Sequence, residues 1–299
     1  YLIQHVEIAD VTTVATEVAA KTNAADSESV ATVVSVNTSS DTQSADSASV
    51  YTDDWNYQGN GISIAITEVS TGSGSDKVTY FVADVVITDA TQLQSAFAND
   101  SFGLNIIDYT STIAAENNAI FAINGDYYGF RSDGIVIRNG IIYRDLPART
   151  GLAFYKDGTM KIYDETQTTA QQLIDEGVWN TLSFGPALVQ DSELVENLER
   201  VSIDNNIGNH SIQGDNPRTG VGIISANHFV FVVVDGRSEG YSRGVSLTEF
   251  AQIFAELGCT DAYNVDGGGS STMYFMGRVV NNPLGRNKER GTSDILFIG

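Results

Sequence analysis

One cysteine in the whole chain rules out an intramolecular disulfide and any multi-cysteine zinc site. Cys259 follows Leu257 and Gly258 and reads as a small buried hydrophobe. None of the three histidines, His5, His210 and His228, stands near it in sequence to raise its thiolate fraction. Basic residues are also scarce: 16 Lys and Arg against 38 Asp and Glu give a formal charge of -22. Such a surface repels phosphate backbones and anionic headgroups, so nucleic-acid binding is excluded as a function class. No apolar run approaches the roughly 20 residues of a membrane-spanning helix. Any membrane attachment is expected through an N-terminal anchor outside a sequence that starts at Tyr1 without methionine.

Aromatics and glycine are missing from one region. Between Ala9 and Ala48 there is no Trp, Phe, Tyr or Gly, and Ala, Ser, Thr, Val and Asp dominate. That composition buries too little apolar surface to offset the entropy of ordering. Residues 1–50 are therefore expected to be a linker or stalk, and a Ser/Thr-rich tract of this kind points to an extracytoplasmic location. Aromatics arrive at Tyr51, and with 42% hydrophobic residues the remainder can bury one sizeable core, so residues 51–299 are expected to form a single catalytic domain.

Within it, Gly61 to Val69 alternates at period two and Val78 to Thr88 is β-branched and aromatic, which predicts a hairpin. Strands are also predicted at Ala119–Ile123, Gly134–Arg138, Ile141–Arg144, Leu152–Tyr155, Met160–Tyr163, Thr181–Val189, Gly220–Ile224 and His228–Asp235. Helices are predicted at Ser111–Asn118, capped by Ser111, at Ala170–Glu176, and at Leu247–Leu257. The last has a Ser246/Glu249 capping box, an apolar stripe and Gly258 as its stop. The pattern reads as an α+β fold, with mixed β-sheets and a few helices packed on them, rather than an alternating βαβ fold.

Chemistry-bearing residues cluster where apolar runs end. Asn264-Val265-Asp266-Gly267-Gly268-Gly269-Ser270 places a carboxylate and a hydroxyl around three glycines, which bury no side chain and suit a backbone that approaches a ligand closely. Asn124-Gly125-Asp126-Tyr127-Tyr128, Asn216-Pro217-Arg218-Thr219 and Asp235-Gly236-Arg237 form three more clusters. Arg218 and Arg237 can grip an anion through planar forks, while Asp126, Asp235 or Asp266 performs proton transfer or attack. The glycine run is neither a Walker loop nor a Rossmann fingerprint, and Ser270 lacks a nucleophile elbow. No cofactor is required by these motifs. Asp126, Asp235, Asp266 and Asn264 are oxygen donors that would suit calcium or magnesium, without EF-hand or zinc spacing.

Taken in order, these stretches resemble the phosphodiester glycosidase family. The resemblance runs through Ala122 to Tyr128, Gly134 to Gly140, Ser183 to Val189, Asn216 to Gly222, and Val234 to Arg237 with Ser242 and Gly244. It continues through Ala262 to Ser271 and Val280 to Pro283, and ends on Arg286 and Arg290. It implies hydrolysis of the bond between a sugar, such as N-acetylglucosamine, and a phosphodiester in a cell-wall polymer, exopolysaccharide or glycan. On that basis Asp235, Asp266, Arg218 and Arg237 are the expected catalytic set. Asn124, Asp126, Tyr128, Asn264, Gly267, Gly268, Gly269 and Ser270 would meet substrate, with Tyr127, Tyr128 and Tyr263 as an aromatic wall for the sugar. The family's first motif often carries Gly and a Phe pair where this chain has Asp126, Tyr127 and Tyr128, so Asp126 is a candidate for tuning substrate choice. The alternatives are a non-catalytic module binding anionic polysaccharide, and a metal-dependent phosphodiesterase cutting P–O. Neither the sugar, its stereochemistry nor the oligomeric state is legible.

Overall fold

The computed structural model describes residues 9–10, 49–203 and 212–299. Eight strands carry the argument: β1 (Ile62–Thr71), β2 (Val78–Ile87), β3 (Phe121–Asn124), β4 (Arg218–Ser225), β5 (His228–Val234), β6 (Asp261–Val265), β7 (Met273–Phe275) and β8 (Asp294–Ile298). A nine-stranded sheet runs Glu193–Leu194, Ala187–Gln190, β6, β4, β5, β2, β1, Asn56–Gly59, Tyr51–Thr52. A five-stranded sheet runs Arg278–Val279, β7, β3, β8, Leu93–Phe97. Each pairing in these two sheets is antiparallel, so the α+β class expected from sequence holds without parallel ladders.

The two sheets pack face to face because their strands alternate. In β1, Ile62, Ile64 and Ile66 point in and Ser63, Ala65 and Thr67 point out, the period-two pattern of a half-buried strand. Phe81, Val85, Val221, Phe231 and Val265 of the large sheet meet Phe121, Ile123, Met273, Leu296 and Ile298 of the small one. The rings of Phe121 and Phe231 are 5.1 Å apart across this seam. Helices cover the outer faces. The helix Thr110–Glu116 sets Ile113 and Ala114 on Ala122, Ile295 and Phe297. The helix Leu247–Glu256 sets Phe250 and Phe254 on Val230, Val232 and Val234.

That second helix sits close because β4 carries glycine on the facing side. A Cβ on Gly220 would lie 2.9 Å from the Phe250 and Phe254 rings, and one on Gly222 would lie 2.6 Å from Cys259 Sγ. Cys259 is thus a packing residue, and burial pushes its thiol up to about 12. A smaller three-stranded sheet of Thr150–Tyr155, Met160–Asp164 and Val178–Leu182, with the hairpin Gly134–Arg138/Ile141–Leu146 and the helix Ala170–Asp175, completes the domain.

Two sequence expectations fail here. Ser111 does not cap its helix. Tyr109 is the N-cap and makes no side-chain cap bond, while Ser111 gives its N–H and hydroxyl to the buried Glu289 carboxylate. The run Thr181–Val189 is not one strand: it breaks between Leu182 and Ala187, where Ser183 N donates to Asp126 and Phe184 N to the Tyr263 hydroxyl. The expected linker over residues 1–50 lies largely outside the described residues. Of it, Ala9–Asp10 pairs with Lys288–Glu289 as a short antiparallel bridge.

Candidate active site

The sheet geometry gathers the polar clusters at one end. Asn124 closes β3, Arg218 opens β4, Asp235 follows β5, Asp266 follows β6, and Thr272 precedes β7. Asn124 joins the two sheets there. Its Nδ2 donates to the Asp266 carbonyl at 2.7 Å, and its Oδ1 accepts from Thr219 Oγ1 at 2.8 Å and Thr272 N at 3.2 Å. It is fully buried and holds the Asp266 loop in place.

Two arginine side chains and the Pro217–Arg218 backbone meet the loop that follows Asp266, each against one of the consecutive glycines. A Cβ on Gly267 would lie 2.8 Å from the Pro217 carbonyl and 3.5 Å from Arg218 Cα; on Gly268, 3.5 Å from both terminal nitrogens of Arg237; on Gly269, 3.3 Å from Arg290 Cβ. Gly267 and Gly269 are therefore positions of close approach, while Gly268, at ordinary contact distance, holds a left-handed φ of 63°. Arg218 is 3% exposed and donates to the carbonyls of Val245 (3.0 Å), Ile212 (2.7 Å) and Gly214 (2.9 Å). Arg237 donates to Asn216 Oδ1 at 2.7 Å and holds a left-handed φ of 58°, a conformation that costs a non-glycine residue roughly 1–3 kcal/mol. Arg290 donates to Ser270 Oγ (3.1 and 2.8 Å), to the Gly267 carbonyl (3.1 Å) and, at 3.5 Å, to Asp266. Burial first, and then Arg237, pull Arg218 down to about 10; burial and then Arg290 lower Arg237.

The two expected catalytic carboxylates differ in what surrounds them. Asp235 is 1% exposed and already accepts from Asn281 Nδ2 (2.7 Å), the Tyr241 hydroxyl (2.8 Å) and Asn282 N (2.8 Å). Burial raises its pKa against the pull of those three donors. Asn281 also donates to the Ser271 carbonyl at 3.0 Å, so Asp235 braces the far side of the glycine loop. The Asp266 side chain is 11% exposed and, among the described residues, meets one donor, Arg290.

Several residues expected to meet substrate are engaged with other parts of the protein. Asp126 is 1% exposed and takes Arg138 (3.3 Å), Ser183 N (2.9 Å) and Tyr128 N (2.6 Å). Arg138 also binds Asp294 at 2.7 Å, so two buried carboxylates share one guanidinium, and burial pushes Asp294 up to about 7 despite Arg138. Gly125 is required beside them, because a Cβ there would lie 2.1 Å from Asp294 Oδ1. Tyr128 is buried and stacked on Phe102, with its hydroxyl on the Ser293 carbonyl; Tyr263 is buried between Phe184 N and the Thr150 carbonyl. Of the expected aromatic wall, only Tyr127 is half-buried, edge-on to the half-buried Phe184. Asn264 donates to the Gly185 carbonyl at 2.9 Å, while its Oδ1, Ser271 Oγ and Thr272 Oγ1 are buried without hydrogen-bond partners among the described residues.

Glu249 is the reciprocal cap its spacing predicts, with Ser246 N at 2.9 Å. Its ion pair with Arg243, ahead of the Ser246 bonds, lowers it to about 2. The oxygen donors considered for calcium or magnesium do not converge: Asp126 pairs with Arg138 and Asp235 with Asn281. No group of three or more His, Cys, Asp or Glu side chains is placed to hold a metal among the described residues. Arg138 and Asp294 were not anticipated as a pair from sequence. Arg290 appeared only within the resemblance, because it lies 24 residues from Asp266.

Comparison with known proteins bears on this geometry. The family model for phosphodiester glycosidases matches residues 117–299. The chain is 33% identical over 206 residues, 66% of its length, to the SPbeta prophage-derived uncharacterized protein YomE of Bacillus subtilis, of which this covers 30%. It is 29% identical over 119 residues, 40% of its length, to N-acetylglucosamine-1-phosphodiester alpha-N-acetylglucosaminidase of Bos taurus, covering 22% of that protein. The chain thus spans less than a third of either curated relative. The fold is shared with the zebrafish N-acetylglucosamine-1-phosphodiester alpha-N-acetylglucosaminidase catalytic domain, auto-inhibited by its pro-peptide. That match has a TM-score of 0.63 at 19% identity, covering 80% of this chain and 83% of the other.

Proposed function

As the chain belongs to the phosphodiester glycosidase family, we propose that it hydrolyses the bond between the anomeric carbon of a sugar and a phosphodiester. The observation that carries this reading is the placing of the Arg237 and Arg290 side chains, with the Arg218 backbone beside them, against a glycine loop headed by Asp266, in a chain of net charge -22. Like charges gathered in an otherwise acidic protein are stabilised by an anion, and guanidinium forks match phosphate oxygens. Asp266 takes the proton of a water whose oxygen attacks the anomeric carbon. The C1–O bond breaks, and the phosphate oxygen leaves with the electron pair, stabilised by the guanidiniums. A phosphate leaving group is a weak base, so a strong general acid is not needed. Asp235, saturated with donors, acts through Asn281 as a positioning residue.

The sugar is N-acetylglucosamine by analogy with the bovine relative's name, and the natural substrate is an extracytoplasmic polymer or glycan. No described helix is long and apolar enough to cross a membrane. The bridge from Ala9–Asp10 to Lys288–Glu289 ends one residue before Arg290, and this contact restrains the site. Removing residues 1–48 raises kcat/KM if this holds and leaves it unchanged if it does not.

The reading is tested by sugar release from a sugar-1-phosphodiester with Asp266→Asn. Loss of at least about a hundredfold in kcat with an unaltered melting temperature supports it. Full activity in that variant removes Asp266 from the mechanism. Saturable glycan binding by wild type and variant alike, with no release by either, makes this a binding module.

A further inference from the structure

A groove of about 540 Å³ lies at the end of the domain opposite the candidate active site. β4 and β6 run antiparallel, with Thr219 beside Val265 and Ile223 beside Asp261. Their Thr219 and Val265 ends lead to Arg218 and Asp266, and their Ile223 and Asp261 ends lead into the groove. Asp261 and Asp266 are thus separated along β6 by about 17 Å, at roughly 3.3 Å per residue of extended chain. The volume falls within the range of sites that take ligands the size of a short oligosaccharide.

The turns that wall the groove are tied to one another through their backbones. Asn227 N, after β4, donates to the Gly158 carbonyl at 2.9 Å; Thr260 N, before β6, to the Ile223 carbonyl at 2.8 Å; and Ser192 N to the Thr260 carbonyl at 2.8 Å. Gly158 permits the first of these contacts: it holds a left-handed φ of 86°, and a Cβ there would lie 2.8 Å from Asn227 N. The groove therefore needs little ordering when a ligand enters.

Its lining sets the chemistry of that ligand. Asp191, Asp261, Gln190 and Lys161 contribute two carboxylates, an amide and one ammonium, while Ile162 and Ile224 contribute partly buried apolar surface. Asp261 is only weakly satisfied by the protein. Its Oδ1 accepts from Asp191 N at 3.4 Å, longer than an ordinary hydrogen bond; burial raises its pKa, the Asp191 N–H lowers it, and the Asp191 charge raises it again. Two carboxylates against one ammonium repel phosphates and uronates, and Lys161 opposes a ligand made of ammonium groups. What fits is a neutral ligand dense in hydroxyl donors, with apolar C–H faces for the two isoleucines.

We propose that this groove is a second, non-catalytic glycan site that holds a short uncharged stretch of saccharide. From the far end of β6 it anchors a polymer by neutral rings while another unit of the same chain reaches the Asp266 loop. That anchoring role, unlike the binding itself, rests on the glycosidase reading. Anchoring raises the effective concentration of the scissile unit without touching the reacting atoms.

The test titrates trimers of N-acetylglucosamine, glucosamine and galacturonic acid into the full chain, followed by calorimetry and amide chemical shifts. The N-acetylglucosamine trimer is expected to saturate below about 10 mM and to shift the amides of Asp191, Ser225 and Ala226. Its affinity is expected to fall at least fivefold in Asp261→Asn and in Ala226→Trp. Ala226 is exposed on a turn that lines the groove, so the second variant blocks the groove with the fold kept. No saturation, shifts confined to Gly267, Gly268 and Gly269, tighter binding of either charged trimer, or affinity undiminished in either variant overturns the proposal.

A kinetic arm reads the anchoring. It compares N-acetylglucosamine 1-(methyl phosphate) with the same phosphodiester joined through a flexible glycol chain to the N-acetylglucosamine trimer. The joined probe is expected to have the higher kcat/KM, with the ratio of the two shrinking at least fivefold in Ala226→Trp. An unchanged ratio overturns the anchoring role. Release of sugar from neither probe overturns the glycosidase reading and leaves the groove to be decided by the binding arm.

Discussion

Replacing Arg138 with methionine isolates the buried ion triad behind the site. The guanidinium is 2% exposed and holds Asp126 at 3.3 Å and Asp294 at 2.7 Å. It also donates to the carbonyls of Ile137 and Thr181. Methionine fills a similar volume but leaves two buried carboxylates without a cation, a change that costs about 3–5 kcal/mol. For a domain of this size each kcal/mol lowers Tm by about 2–4 °C, so the expected drop is about 6–20 °C. Thermal unfolding followed by circular dichroism reads it directly. A second arm uses pH. Asp294 is raised to about 7 from an unfolded value of about 3.9, so the native state binds the extra proton between those values. Its contribution to stability is present below pH ~4 and is lost as pH rises through 7. Asp294→Asn removes that dependence, so its Tm relative to wild type improves from pH 5 to pH 8. A drop under about 3 °C for Arg138→Met, or a relative Tm for Asp294→Asn that falls with rising pH, refutes the triad argument.

Three further changes are expected to separate packing from chemistry. Gly220→Ala forces a methyl to 2.9 Å from Phe250 and Phe254 and lowers stability by about 1–3 kcal/mol in urea titration; a neutral effect would mean the helix gives way freely. Glu249→Gln weakens the capping box and the Arg243 pair, costing about 1 kcal/mol, with kcat/KM unchanged if the residue is structural. Cys259, with its thiol pushed up to about 12, resists iodoacetamide at pH 8 in the native protein and reacts fully in urea; rapid native labelling would contradict its burial.

Local signals in the sequence located most elements but not their partners. The Ser246/Glu249 box and the alternation of Ile62, Ile64 and Ile66 are short-range patterns, and the structure repeats them. The break after Leu182 was invisible because its cause is remote: Asp126 and Tyr263 capture the backbone of Ser183 and Phe184. Likewise Asp126 and Tyr128 read as ligand groups beside a glycine, yet Arg138 and Asp294, brought in from other strands, claim the carboxylate's surroundings. The glycine run marked a place where the backbone comes close to other groups. Which arginines approach it depends on strand order, and strand order is not written in any one segment.

Hydrolysis in oxygen-18 water tests the central claim most directly, because it reports which bond the site cuts. The account predicts that a sugar-1-phosphodiester yields free sugar with the label at its anomeric hydroxyl and unlabelled phosphate ester, with this release abolished in Asp266→Asn. Label in the phosphate, above all with turnover that EDTA abolishes and calcium or magnesium restores, would contradict it and identify a phosphodiesterase cutting P–O.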